Sequence, residues 1–449
     1  AIKYYSDAKG NKLDMAEVYN EPVPGLDVML TVDYDIQTSI ERELDNIEDM
    51  FSPDHALAIA MDPNTGEVLA MSSRPSFDPN NYKNYSSDVL SRNLPIWMTY
   101  EPGSTFKIIT TASAVEEQVV DLFKDQFYDS GSVTVSGSKL RCWKAGGHGH
   151  QTFLQVFENS CNPGFVKMGF LLGKNKLFDY IKLFGFGKKT GIDLNGEGKG
   201  IIFDIGDVND LELSTTAFGQ GVSVTPIQQI TAVSSIVNGG NLYKPYIMKS
   251  ILDSKTGNIY QENEKTLVRK TISESTTKTM RIALESVVAR GGGKVTYIDG
   301  YRVGGKTGTA QKVENGRYLE NNYIMSFMAV LPSNDPKVVL YLAIDYPKKT
   351  ALLSSYTTTP FVRKILLDMI NILDIKKQPD QALKDYEWMD KKYYEVPNVV
   401  GMTRKEAKKV LSNFEIEFAG DGDTVVEQSP SAGTRYYETG VVKLLLGNR

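Results

Sequence analysis

"EPGSTFK", residues 101–107, decides the fold of this 449-residue chain. It opens an apolar-periodic helix, "TFKIITTASAVEEQ", and sets Ser104 and Lys107 three residues apart. Positions i and i+3 share one helical face, so the lysine amine reaches the serine hydroxyl. Pro102 and Gly103 mark the helix start and leave unpaired N–H groups beside Ser104. A serine hydroxyl is a poor nucleophile without a neighbouring base. Lysine serves as that base only where burial or a second cation lowers its pKa. Taken alone the pair is weak, because serine and lysine at this spacing occur by chance in many helices.

Two further stretches give it meaning. "NSCNPG" supplies Ser160 and Asn162 in a helix-bounded turn: a hydroxyl suited to relaying a proton and an amide suited to a substrate carbonyl. "VGGKTGTAQ" supplies Lys306, Thr307, Gly308 and Thr309 in a strand-like run. The lysine and the two threonine hydroxyls suit a carboxylate, and Lys306 is expected to help depress the pKa of Lys107. Gly308 reads as a side chain removed where a ligand backbone lies along the strand. The plain alternative is a glycine-rich edge strand with a solvated lysine. SxxK, SxN and KTG in this order form the set of penicillin-binding proteins and class A β-lactamases.

Around these motifs the texture is that of an α+β chain. "DVMLTVDYDIQTSIERELDNI" reads as a strand leading into a helix capped by Asp33 or Asp35. "ALAIAMDPNTGEVLAMSS" is a hairpin turning at "DPNTG". Helices such as "FLQVFENSCNPGFVKMGFLLG" and "TPIQQITAVSSIVNGG" follow. "YRVGGKTGTAQKV", "NNYIMSFMAVLPS" and "KVVLYLAIDYP" then read as strands, and "PFVRKILLDMINIL" as a closing helix. Strands early and late with helices between predict one mixed domain over 29–375. Residues 376–392 are charged and read as a linker, and 393–449 as a small module with one helix and short strands. The net charge of -5 argues against a nucleic-acid partner, and two cysteines cannot form a disulfide scaffold. No apolar run approaches the roughly 18 residues that a membrane helix needs.

The blocks "MDPNTGEVLAMSSRPSFDPN", "EPGSTFK", "YDSGSVTVSG", "SCNPGF", "FGQGVSVTPIQ" and "GGKTGTAQK" resemble those of the class B penicillin-binding proteins, monofunctional D,D-transpeptidases that cross-link peptidoglycan. "VPNVVGMTRKEA" and "VVEQSPSAG" are similar to a PASTA domain. The resemblance implies the penicillin-binding transpeptidase fold: an antiparallel sheet flanked by helices, plus an all-helical lobe. It implies that Ser104 attacks between the two terminal D-alanines of a stem peptide, that Lys107 accepts its proton, and that Ser160 passes a proton to the leaving amine. Asn162 orients the acyl chain, the amides of Ser104 and Thr309 form an oxyanion hole, and Lys306, Thr307 and Thr309 hold the terminal carboxylate. The implied partners are stem peptides on lipid-linked nascent glycan, β-lactam antibiotics and a membrane glycosyltransferase. Residues 1–28 are expected to end an N-terminal pedestal anchored by a membrane helix on the extracytoplasmic face. A single C-terminal PASTA unit fits a branch working in spore cortex synthesis at the forespore membrane, or a septal enzyme of division. The rivals are a D,D-carboxypeptidase, a β-lactamase, and a non-catalytic sensor of β-lactam or peptidoglycan.

One cluster lies outside this scheme. Both cysteines and two of the three histidines fall between residues 141 and 162: Cys142, His148, His150 and Cys161. Two thiolates and two imidazoles make a tetrahedral zinc set, with Asp129 of "YDSG" as the substitute for His150. A structural zinc would pin the Ser160–Asn162 loop. Packed free thiols, or a Cys142–Cys161 disulfide, are the alternatives.

Overall fold

Asp33, of the two aspartates weighed above, caps helix α1 (Tyr34–Phe51), accepting from the amides of Asp35 and Ile36. The computed structural model describes the chain apart from residues 1, 4, 14–17, 20–23, 315–316, 350–353, 386–392, 438–439 and 449. Strands β1 (His55–Met61) and β2 (Val68–Arg74) form the expected hairpin. A helical lobe follows, with α2 (Lys107–Glu116), the short strands β3 (Gln126–Asp129) and β4 (Gly149–Thr152), α3 (Phe153–Glu158), α4 (Asn162–Leu183), α5 (Pro226–Val237) and α6 (Glu274–Arg290). The chain then returns through β5 (Gly304–Glu314), β6 (Arg317–Leu331) and β7 (Val338–Asp345) to α7 (Thr359–Ile372).

The five long strands make one antiparallel sheet in the order β5-β6-β7-β1-β2. Successive residues of a strand face opposite sides, and here both sides are covered. Leu57, Ile59, Val339 and Tyr341 join the core shared with the helical lobe, while Ala58, Ala60, Leu340 and Leu342 pack with α1 and α7. Burial on both faces explains why "KVVLYLAIDYP" is apolar without alternation. Helix α5, buried at every residue, passes through the lobe and leaves no polar face.

The stretch "FLQVFENSCNPGFVKMGFLLG" is two helices joined at the turn expected in "NSCNPG". Ser160 takes a left-handed φ of 53° between α3 and α4, and Pro163 lies in the first turn of α4. Proline fits a first turn but not a helix interior, so the break falls on the SxN motif.

The larger compact unit runs to Leu383, beyond the residue 375 read from texture. Ala382 explains the difference: its amide donates to Glu285 Oε1 at 2.9 Å, and its carbonyl accepts from the Tyr297 hydroxyl at 3.0 Å. The first part of the expected linker is thus fastened to α6 and the loop before β5, while 386–392 lies outside the described residues. At the other end, Leu26–Leu30 pairs with Met248–Asp253, so the last residues of the expected 1–28 segment join a sheet of this unit. The second unit, Lys384–Arg449, has its own core of Val399, Ala407, Leu411, Val425, Val442 and Leu444. Its helix α8 (Arg404–Val410) is closed by a capping box of Thr403 and Glu406. Strand β10 (Val441–Gly447) lies between β8 (Glu415–Ala419) and β9 (Thr424–Ser429). Among the described residues, no helix is long and apolar enough to cross a membrane.

Candidate active site

Ser104 lies in a single 3-10 turn, Gly103–Thr105, that runs directly into α2 at Lys107. The turn places Lys107 three residues after Ser104, at the first position of α2. Gly103 has φ +54°, and a Cβ there would stand 2.7 Å from the Thr309 carbonyl oxygen. The serine segment therefore lies directly against β5.

Lys107 is fully buried. Its Nζ donates to Ser160 O at 2.8 Å, Ser160 Oγ at 3.1 Å and Asn162 Oδ1 at 2.7 Å, joining the first two motifs through one ammonium. Burial lowers its pKa to about 7, against a smaller opposing pull from the Cys161 and Cys142 sulfurs. The left-handed Ser160 turn is what presents both of that residue's oxygens to the lysine. Asn162 is oriented in turn, its Nδ2 donating to Arg141 O at 3.2 Å.

Lys306 completes the third motif and is also fully buried, over the Phe157 ring at 6.0 Å. Burial first and the Lys107 charge second push its pKa well below the usual lysine range. The expectation that Lys306 depresses Lys107 is replaced by burial acting on both. Thr307 is buried and Thr309 exposed. Gly308 corrects another expectation: its Cβ would meet Ser326 Oγ at 2.3 Å and Thr105 Cγ2 at 2.9 Å. The glycine serves close packing of β5 on the serine turn, not room for a ligand. Glu158, two residues before Ser160, accepts from the Ser286 hydroxyl of α6.

The cysteine segment folds into a buried cluster of Asp129, Cys142, His148 and Cys161, whose ligand atoms all lie within 4.8 Å of one another. Asp129 Oδ2 is its centre, 2.8 Å from His148 Nδ1, 3.2 Å from Cys161 Sγ and 3.0 Å from the His148 amide. Cys142 Sγ is 3.3 Å from His148 Nδ1. Burial opposes ionisation of Asp129, but the hydrogen bonds from His148, the Gly131 amide and the thiols outweigh it and hold the carboxyl well below the usual range. His150 is excluded. It pairs with Tyr128 across β3 and β4, and its ring packs tilted against that ring, with centroids 4.9 Å apart. Alternation sends the neighbouring Asp129 to the opposite face and into the cluster. Both cysteines are free thiols, so the disulfide alternative does not hold.

Two contacts have no counterpart in the sequence reading. The Tyr100 and Tyr341 hydroxyls bond to each other in the core behind the serine turn. Glu101 accepts from the Gly221 amide at 2.8 Å and from the Tyr318 hydroxyl at 3.2 Å. A tyrosine inside the aliphatic run "KVVLYLAIDYP" was the available signal for the first.

A buried lysine bonded to SxN, beside a serine turn that lies against the KTG edge strand, is the arrangement of an acylating serine enzyme. The chain belongs to the penicillin-binding protein transpeptidase family, whose domain matches residues 56–367, and a PASTA domain matches 394–448. It is 53% identical to stage V sporulation protein D of Bacillus subtilis over 99% of this chain and 69% of that protein. It is 30% identical to peptidoglycan D,D-transpeptidase FtsI of Escherichia coli K12, over 78% of this chain and 57% of the relative. The crystal structure of penicillin-binding protein 3 from Mycobacterium tuberculosis complexed with aztreonam superposes with a TM-score of 0.74 at 25% identity, covering 85% of this chain and 89% of that one.

Proposed function

We propose that this chain is a serine D,D-transpeptidase of peptidoglycan, acylated at Ser104 by stem peptides and by β-lactams. The observation that carries the reading is Lys107, buried, hydrogen-bonded to Ser160 and Asn162, and placed at i+3 from Ser104. Neutral Lys107 takes the Ser104 proton as Oγ attacks the carbonyl between the two terminal D-alanines. The oxyanion forms against the amides of Ser104 and Thr309, an environment that typically supplies the largest single catalytic contribution. As the C–N bond breaks, the proton passes from Lys107 through Ser160 Oγ to the leaving D-alanine amine. The acyl group stays on Ser104 until an acceptor amine displaces it. Lys306, Thr307 and Thr309 hold the terminal carboxylate. A β-lactam follows the same first step, but its leaving nitrogen stays tethered to the acyl group.

Likeness to stage V sporulation protein D supports work in sporulation; spore cortex synthesis at the extracytoplasmic face of the forespore membrane, an N-terminal membrane anchor and a membrane glycosyltransferase partner complete the proposal. The chemistry is tested by supplying a stem-peptide donor with an acceptor amine. One D-alanine should be released for each new amide formed. Release without amide would make the chain a carboxypeptidase, and rapid penicillin turnover would make it a β-lactamase.

Zinc belongs to the same proposal. Two thiols, one imidazole nitrogen and one carboxylate, all buried and converging, form a donor set that suits zinc rather than calcium or magnesium. Asp129, Cys142, His148 and Cys161 would hold it as a closed structural site. Zinc there would supply no reaction step, and Cys142 and Cys161 would be held together as two of its ligands. Cys161 is the middle residue of SxN, and Cys142 follows the Arg141 carbonyl that orients Asn162.

A further inference from the structure

The transpeptidase reading leaves one charged group beside the serine without a task. Glu101 precedes Ser104 by three residues and is half-buried. Among the described residues no cation pairs with it. Its partners are the Gly221 amide on Oε1 and the Tyr318 hydroxyl, 3.2 Å from each oxygen. Burial raises its pKa, a penalty that an arriving ammonium would relieve.

The path of a bound peptide leads to it. Strand β5 is the edge of the five-stranded sheet and can accept an added strand. Its beginning is closed: a Cβ on Gly304 would meet Leu284 and Ser333, and one on Gly292 would stand 3.2 Å from Thr307 Oγ1. Beyond Thr309 it is open, with Thr309 and Val313 exposed. A peptide whose carboxylate rests at Thr307 and Thr309 therefore runs back toward Val313, antiparallel to β5. Val313 pairs with Tyr318, whose hydroxyl holds Glu101. At about 3.3 Å per residue, the side chain just upstream of the two terminal alanines comes abreast of this carboxylate.

We infer that Glu101, oriented by Tyr318 and Gly221, is a specificity-determining residue that recognises a side-chain ammonium on the donor peptide, one residue before the terminal alanine pair. The inference rests on the transpeptidase reading. It is tested with two thioester donors, N-acetyl-lysyl-D-alanyl thioester with its side-chain amine free and the same compound with that amine acetylated, reading thiol release as kcat/KM. The wild type should prefer the free amine by about 10-fold or more, the scale of a charge-assisted hydrogen bond. In Glu101→Gln, which keeps an acceptor for the Gly221 amide, the ratio should fall close to 1, and in Tyr318→Phe it should fall part of the way. A purely structural role would slow both donors equally and preserve the ratio, which would overturn the inference, as would a wild-type ratio of 1. If benzylpenicillin acylates Ser104 but neither donor releases thiol, the donor-peptide reading itself fails and the inference falls with it.

Discussion

Lys107→Met should lower the rate of Ser104 acylation by benzylpenicillin by about 10²–10⁴-fold, the usual contribution of a positioned general base. Methionine fills the buried volume, so the protein should remain folded. It leaves Asn162 Oδ1 and the Ser160 oxygens without their shared donor, at about 1–3 kcal/mol for each buried group left unsatisfied. Against that loss stands relief from burying an ammonium, so the melting temperature should move far less than the rate. The pH dependence follows from the same group. The base is neutral Lys107, its pKa is lowered to about 7 by burial, and wild-type acylation should rise with pH through that value. Between about 7 and the ordinary lysine value of 10.5, the unfolded chain binds a proton that the folded one has released. This residue's contribution to stability therefore increases with pH across that window. Stopped-flow acylation from pH 5.5 to 9 checks the profile. A flat profile in the wild type would remove Lys107 as the base.

Cys161→Ser should reduce zinc from about one per chain to a small fraction and destabilise the larger unit. Loss of about 3 kcal/mol or more corresponds to at least about 4 °C in melting temperature for a unit that runs to Leu383. Acylation should slow by about 10-fold, because the substituted residue lies between Ser160 and Asn162. A chelator separates the metal from simple packing. It should lower the melting temperature of the wild type and leave that of the variant unchanged. Metal analysis with calorimetry decides the matter, and a wild type that holds no zinc and ignores chelator would reduce the cluster to packed, hydrogen-bonded thiols.

Much of this site could be read from the sequence because its information is local. SxxK, SxN and KTG each span three or four residues; the Lys107 ammonium bonds Ser160 and Asn162, and the turn that carries Ser104 lies against the edge strand that carries Lys306. What escaped depended on register or on distance along the chain. The choice between His150 and Asp129 turned on how β3 pairs with β4, since moving by one residue along a strand changes the face. Gly308 looked like ligand space because the approach of Thr105 and Ser326 is set by tertiary packing. Glu101 and Tyr318 lie 217 residues apart, and Tyr100 and Tyr341 lie 241 apart, so no local pattern joined either pair.

The most direct test of the central claim is intact-protein mass spectrometry after brief exposure to benzylpenicillin, followed by peptide mapping. The account predicts one adduct per chain, with the mass of the whole antibiotic, on the peptide containing Ser104 and absent in Ser104→Ala. An adduct on another residue, or none on a folded wild type, would contradict it.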